Sequence, residues 1–118
     1  IIIAVTMLTS LNQEIASQLG VHDINSQTLK LAKLAKESSL DGVVCSPQEI
    51  SNIKEELGKD FIVVTPGIRL TKSITDDQKR IASPKEAISL GADFIVIGRP
   101  ITQSKDPYQS LQDVINQI

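Results

Sequence analysis

The sequence predicts an α/β fold of parallel strands alternating with helices, four βα units that amount to half of a (β/α)8 TIM barrel. Three observations carry this. Four apolar runs, residues 1–8, 42–45, 61–64 and 94–97, are continuous rather than alternating, as in strands covered on both faces. Helix-start signals separate the runs, and glycines stand where the helices should end. Such alternation implies a parallel sheet with right-handed crossovers.

Residues 1–8 read as the first strand. Ser10-Leu11-Asn12-Gln13 then fits a capping box, in which the serine accepts from the third helical N–H and the Gln side chain reaches back. Gly20 is placed to end that helix. A second helix is predicted over residues 26–38, with Leu31, Leu34 and Ala35 on one face. After the second strand, Ser46-Pro47-Gln48-Glu49 repeats the capping box, with proline at the first helical position where a missing N–H is harmless. Gly58 closes this helix before the third strand. Residues 67–82 are the longest irregular stretch, polar and without apolar period. A loop of that length in a compact unit is usually functional, often a lid. Ser83-Pro84-Lys85-Glu86 opens the next helix and Gly91 ends it. The fourth strand follows, and Asp106-Pro107-Tyr108-Gln109 starts the last helix.

The chain has 118 residues, the length of one domain. A complete barrel usually runs to ~250 residues, and its phosphate site commonly uses the loops after strands 7 and 8. The candidate phosphate loops here follow the third and fourth strands. The simplest numbering makes the four strands 5 to 8, so residues 1–118 form the C-terminal half of one barrel domain without its N-terminal half. The sequence also starts inside a strand and without Met, as a fragment would.

The chain is 41% hydrophobic but only 3% aromatic, so its core is built from Ile, Leu, Val and Ala. Twelve basic residues against 14 acidic ones, with a pI near 5.3, argue against a nucleic-acid footprint or a polybasic membrane surface. Lys30, Lys33 and Lys36 read as one solvated helix face. The single Cys45 rules out an internal disulfide and a Cys-based zinc site, and reads as a small buried hydrophobe. A thiol nucleophile would want a histidine, and nothing in the sequence brings His22 to it. No apolar stretch approaches the ~20 residues of a membrane span. The first residues lack a basic leader and a cleavage site. A cytoplasmic location is therefore expected. One histidine and scattered carboxylates give no metal-ligand spacing, and neither a G-x-S-x-G turn nor a P-loop occurs.

The informative turns lie at the C-terminal ends of the strands. Thr65-Pro66-Gly67-Ile68-Arg69 follows the third and Ile97-Gly98-Arg99-Pro100 the fourth. A glycine lets backbone N–H groups approach an oxyanion, and an arginine adds a rigid fork of donors. Two such endings on successive strands suggest two walls of one phosphate pocket. Surface ion pairing is the competing reading for Arg99, a loop that carries the side chain to solvent is the competing reading for Arg69, and Thr9 and Ser10 are also candidates for helix capping.

Leu8-Thr9-Ser10, Asp41-Gly42-Val43-Val44-Cys45-Ser46-Pro47, Val64-Thr65-Pro66-Gly67-Ile68-Arg69, Asp77-Gln78-Lys79-Arg80 and Ile97-Gly98-Arg99-Pro100-Ile101-Thr102 occur together and in order. This set resembles the orotidine 5′-phosphate decarboxylase family of the bacterial type, over essentially the whole chain. The resemblance implies a homodimeric (β/α)8 barrel that converts orotidine 5′-monophosphate to UMP and carbon dioxide, without metal or organic cofactor. It implies that Thr9 hydrogen-bonds the pyrimidine edge, where a hydroxyl can serve both the N–H and the C=O of an imide. It likewise implies that Gln78 is the lid glutamine, that the Gly98 N–H and Arg99 clamp the phosphate, that Arg69 is a further ligand contact, and that Pro66 walls the pocket.

The family's catalytic lysine and its Asp-x-Lys-x-x-Asp motif are missing. Asp77-Gln78-Lys79 begins similarly, but Ala82 stands where the last aspartate should be. No catalytic residue is assigned, and this half alone is not expected to decarboxylate. Two other readings stay open: another phosphate-binding barrel of the sugar-phosphate epimerase or synthase type, and a non-catalytic half that assembles with another polypeptide.

Overall fold

Four short strands pair side by side in a computed structural model that describes residues 1–70 and 80–118. They are β1 (Ile3–Val5), β2 (Gly42–Val44), β3 (Ile62–Thr65) and β4 (Phe94–Ile95), in the sheet order β1-β2-β3-β4. Every pairing is parallel, with Val5 opposite Val44, Val44 opposite Val64 and Val64 opposite Phe94. Between them run α1 (Gln13–Gln18), α2 (Ile24–Glu37), α3 (Ile50–Leu57) and α4 (Pro84–Leu90). α5 (Arg99–Thr102) and α6 (Pro107–Ile115) follow β4. The parallel α/β reading holds.

The strands are shorter than the apolar runs. The edge strand β1 has a partner on one side only, so its run leaves the ladder after Thr6, whose N–H still reaches the Val44 carbonyl at 3.2 Å. The chain then turns, with the Leu11 N–H on the Leu8 carbonyl at 3.0 Å. β4 is the other edge, and its pairing ends with the Val96 N–H on the Thr65 carbonyl at 2.9 Å. β3 instead gains Thr65, which lies opposite Ile95.

Capping accounts for most helix starts. Ser83 accepts from the Glu86 N–H at 3.2 Å while the Glu86 carboxylate accepts from the Ser83 N–H at 2.8 Å. Asp106 caps α6 through the Gln109 N–H at 2.9 Å. The Ser46 box forms too, but it opens a 3₁₀ turn, Pro47–Glu49, ahead of α3. Gly58 and Gly91 end α3 and α4 at φ of 92° and 107°, a region that favours glycine. Two expectations are corrected. Ser10 is taken up by the turn after β1, so the cap of α1 is Asn12, whose side chain accepts from the Ile15 N–H at 2.9 Å. In α2 the buried positions are Ile24, Thr28, Ala32 and Ala35, and Leu34 is 58% exposed. Small side chains take the sheet-facing stripe and let the helix approach closely, which turns Leu34 outward.

The core lies between the helices and one face of the sheet, where Val43, Cys45 and Val63 meet Ile50, Ile53 and Leu57. The opposite face departs from the expectation of two covered faces. Val5 is 62%, Phe94 58% and Val96 52% exposed. The continuous apolar runs encode burial on both sides, and among the described residues only one side is covered.

At Gly42 the backbones of β2 and β3 leave no room for a side chain. A Cβ there would stand 2.2 Å from the Ile62 carbonyl oxygen. Gly42→Ala is expected to force β2 from β3 and destabilise the chain by about 3 kcal/mol, read as a lowered urea midpoint. Unchanged stability would contradict this register.

Candidate functional site

Because all four strands are parallel neighbours, their C-terminal ends share one rim. Thr9 stands on the loop after β1, Pro66 and Arg69 on the loop after β3, and Gly98 and Arg99 directly after β4. The sheet thus brings five of the six candidate binding residues to one edge. The sixth, Gln78, and the middle of the expected lid lie outside the described residues.

Local structure gives each a distinct setting. Thr9 is half-buried inside the turn that closes from Leu8 to Leu11. The 66–69 segment is stiffened at Gly67, which is buried with φ of 80° and so requires glycine. Ile68 pairs with Ala82, the Arg69 N–H donates to the Ala82 carbonyl at 2.9 Å, and the Ala82 N–H donates back to Gly67 at 3.3 Å. The two stems of the long loop are therefore tied together, and its base is not irregular as the sequence suggested. The Arg69 guanidinium folds back to donate to the Ile68 carbonyl at 3.0 Å. Gly98 precedes α5, its carbonyl accepting from the Ile101 and Thr102 N–H groups at 2.9 and 3.0 Å. Among the described residues, its chain neighbours aside, no atom lies within 4 Å of where its Cβ would be, so packing there does not demand this glycine. The short helix α5 was not anticipated, because four residues carry no readable period.

The sequence also concealed a charged centre beneath the rim. Arg80 is 4% and Glu49 3% exposed, and the two form an ion pair through Nη1 and Oε1. Glu49 Oε2 accepts from the Ser46 N–H at 2.9 Å and from the Ser46 hydroxyl. Arg80 Nη2 donates to the Leu8 carbonyl at 2.9 Å. In the sequence Arg80 looks like one of a run of polar loop residues, and Glu49 like a helix cap. Their pairing spans 31 positions, which no local pattern could reveal.

Cys45 lies against this centre, fully buried in the core as its sequence setting suggested. Burial, reinforced by the Glu49 carboxylate, pushes its thiol up from 9.0 to about 12. The Thr65 hydroxyl and the Arg80 and Lys54 cations oppose that shift more weakly. A thiol held protonated in this way is no nucleophile, and His22 is exposed on the α1–α2 connection.

With this geometry in view, comparisons with known proteins are decisive about kinship. The profile of the Orotidine 5'-phosphate decarboxylase / HUMPS family matches residues 1–114. A protein of Citrifermentans bemidjiense named orotidine 5'-phosphate decarboxylase is 48% identical over 99% of this chain and 49% of its own length. One of the same name from Wolbachia pipientis is 52% identical over 99% of this chain and 52% of its own length. The crystal structure of orotidine 5'-phosphate decarboxylase from Lactobacillus acidophilus superposes with a TM-score of 0.78 at 38% identity, covering 98% of this chain and 47% of that one. The chain spans about half the length of these relatives.

The raised Cys45 pKa fixes a pH dependence. The unfolded thiol loses its proton near 9.0 while the folded one keeps it to about 12. The unfolded state therefore binds fewer protons in that window, and stability falls as pH rises through it. Urea melts between pH 8 and pH 11 are expected to show Cys45→Ala losing less stability with rising pH than the parent chain. Identical slopes would contradict the shift.

Proposed function

This chain belongs to the orotidine 5'-phosphate decarboxylase / HUMPS family, and we propose that it is the nucleotide-holding C-terminal half, strands 5 to 8, of a decarboxylase barrel. The whole enzyme would convert orotidine 5′-monophosphate to UMP and carbon dioxide in the cytoplasm as a homodimer, with no metal or organic cofactor. The observation that carries the reading is the shared rim. Thr9, Arg69 and Arg99 follow the C-terminal ends of strands in one parallel sheet.

In this reading the Thr9 hydroxyl pairs with the imide edge of the pyrimidine. The Gly98 N–H and the Arg99 guanidinium hold the phosphate, charge-assisted hydrogen bonds being the strong ones. Arg69 adds a ligand contact, Pro66 walls the pocket, and Gln78 closes over base and phosphate. Decarboxylation breaks the bond between the pyrimidine ring and its carboxylate. Carbon dioxide leaves, the electron pair stays on the ring carbon, and a proton must be delivered to it. The lysine that delivers the proton and the carboxylates that press on the leaving group belong to a complementary first half. The apolar row of Val5, Phe94 and Val96 supports this, as a surface that such a half would cover.

The test is Arg99→Ala in the completed barrel, the chain joined to or mixed with a complementary first half. UMP affinity is expected to fall by about 1.5–3 kcal/mol, roughly 10- to 150-fold, with uridine nearly unaffected. Equal losses for UMP and uridine would remove the phosphate assignment.

A further inference from the structure

We propose that Arg80 is a positioning residue that fixes the Thr9 turn for pyrimidine binding, an inference that rests on the reading of Thr9 just given. Its two terminal nitrogens point to different loops. Nη1 pairs with Glu49, and Nη2 donates to the Leu8 carbonyl at 2.9 Å. That same carbonyl accepts from the Leu11 N–H at 3.0 Å. The turn that contains Thr9 is therefore closed by its own backbone and locked from outside by the guanidinium.

The anchor itself is rigid. Glu49 is held by the Ser46 N–H and hydroxyl at the end of β2. The main chain two residues beyond Arg80 is held by the pairing of Ala82 with Ile68. One buried side chain thus joins the loops that follow β1, β2 and β3.

Stability alone does not account for an arginine here. Its Nε is buried without a hydrogen-bond partner among the described residues, a cost that replacing Arg80 and Glu49 together by apolar residues of similar volume would avoid. What an apolar residue could not supply is the fork that reaches Glu49 and Leu8 together. Lysine would keep the charge as a point and lose the fixed geometry of two separated donors. The distance from Thr9 is one peptide bond, so a shift at Leu8 moves Thr9 directly.

The test uses amide hydrogen exchange on the 118-residue chain. Arg80→Lys is expected to speed exchange of the Leu11 amide by about ten- to a hundredfold, the range set by losing one charge-assisted bond. Core amides such as Val63 should change far less. Ile53→Val, a core substitution remote from the turn, should raise exchange without singling out Leu11. A rise at Leu11 that merely matches the core in Arg80→Lys would overturn the proposal. Should Arg80→Lys unfold, Glu49→Gln carries the same comparison with the same criterion. A second arm, in the completed barrel, compares UMP with uridine in Arg80→Lys. Both should weaken by one common factor, because the phosphate contacts are untouched, and a loss confined to UMP would contradict the assignment to Thr9. If the unsubstituted barrel binds neither nucleotide, the functional reading fails, while the exchange comparison still decides whether Arg80 holds the turn.

Discussion

The register that sets Val5, Val44, Val64 and Phe94 side by side is the constraint on which the other features depend. A parallel sheet gives its two ends different work. At the N-terminal ends, carboxylates fasten one strand to the next. Asp41 accepts from the Ile2 N–H at 2.6 Å, and Asp93 accepts from the Val63 N–H at 2.7 Å while pairing with Lys54 at 2.7 Å. At the C-terminal ends the loops carry hydroxyl, glycine and arginine. A one-position slip would send Val43 and Val63 to the open face and scatter the rim.

Among the described residues the sheet is covered on one side only. Small side chains on α2 and branched ones on α3 seal the face that includes Val43 and Cys45. The other face remains an apolar surface bounded by two edge strands. That asymmetry and the half-length match to relatives share one physical origin in the proposed account. A barrel interior is a packed core made from all its strands, and half the strands leave half of that core in water. The same division separates binding from chemistry. In the proposed account hydroxyl and guanidinium groups on this rim would hold the nucleotide, whereas stabilising a carbanion needs groups placed for the transition state.

How much was legible in the sequence followed from the range of each interaction. The Ser46, Ser83 and Asp106 caps are contacts over three residues, and all were readable. So were the glycines at 58 and 91, which answer a local backbone demand. Ser10 misled because two cap-competent residues, Ser10 and Asn12, stand close together, and the turn after an edge strand decided between them. Leu34 misled because helical period alone does not say which stripe faces the sheet; the close approach of α2 selected the alanines. The binding candidates Thr9, Arg69, Gly98 and Arg99 were visible as residue types at strand ends. Arg80 and Glu49 were not, since a pair 31 positions apart acquires its meaning only when the loops converge.

Loss of orotate absorbance, followed with this chain alone and with a complementary first half supplied in the same polypeptide or in trans, tests the account most directly. The account predicts no decarboxylation of orotidine 5′-monophosphate by residues 1–118 alone and turnover when the first half is present. Enzyme-level turnover by the chain alone would contradict it, by placing the catalytic groups among residues assigned here only to binding.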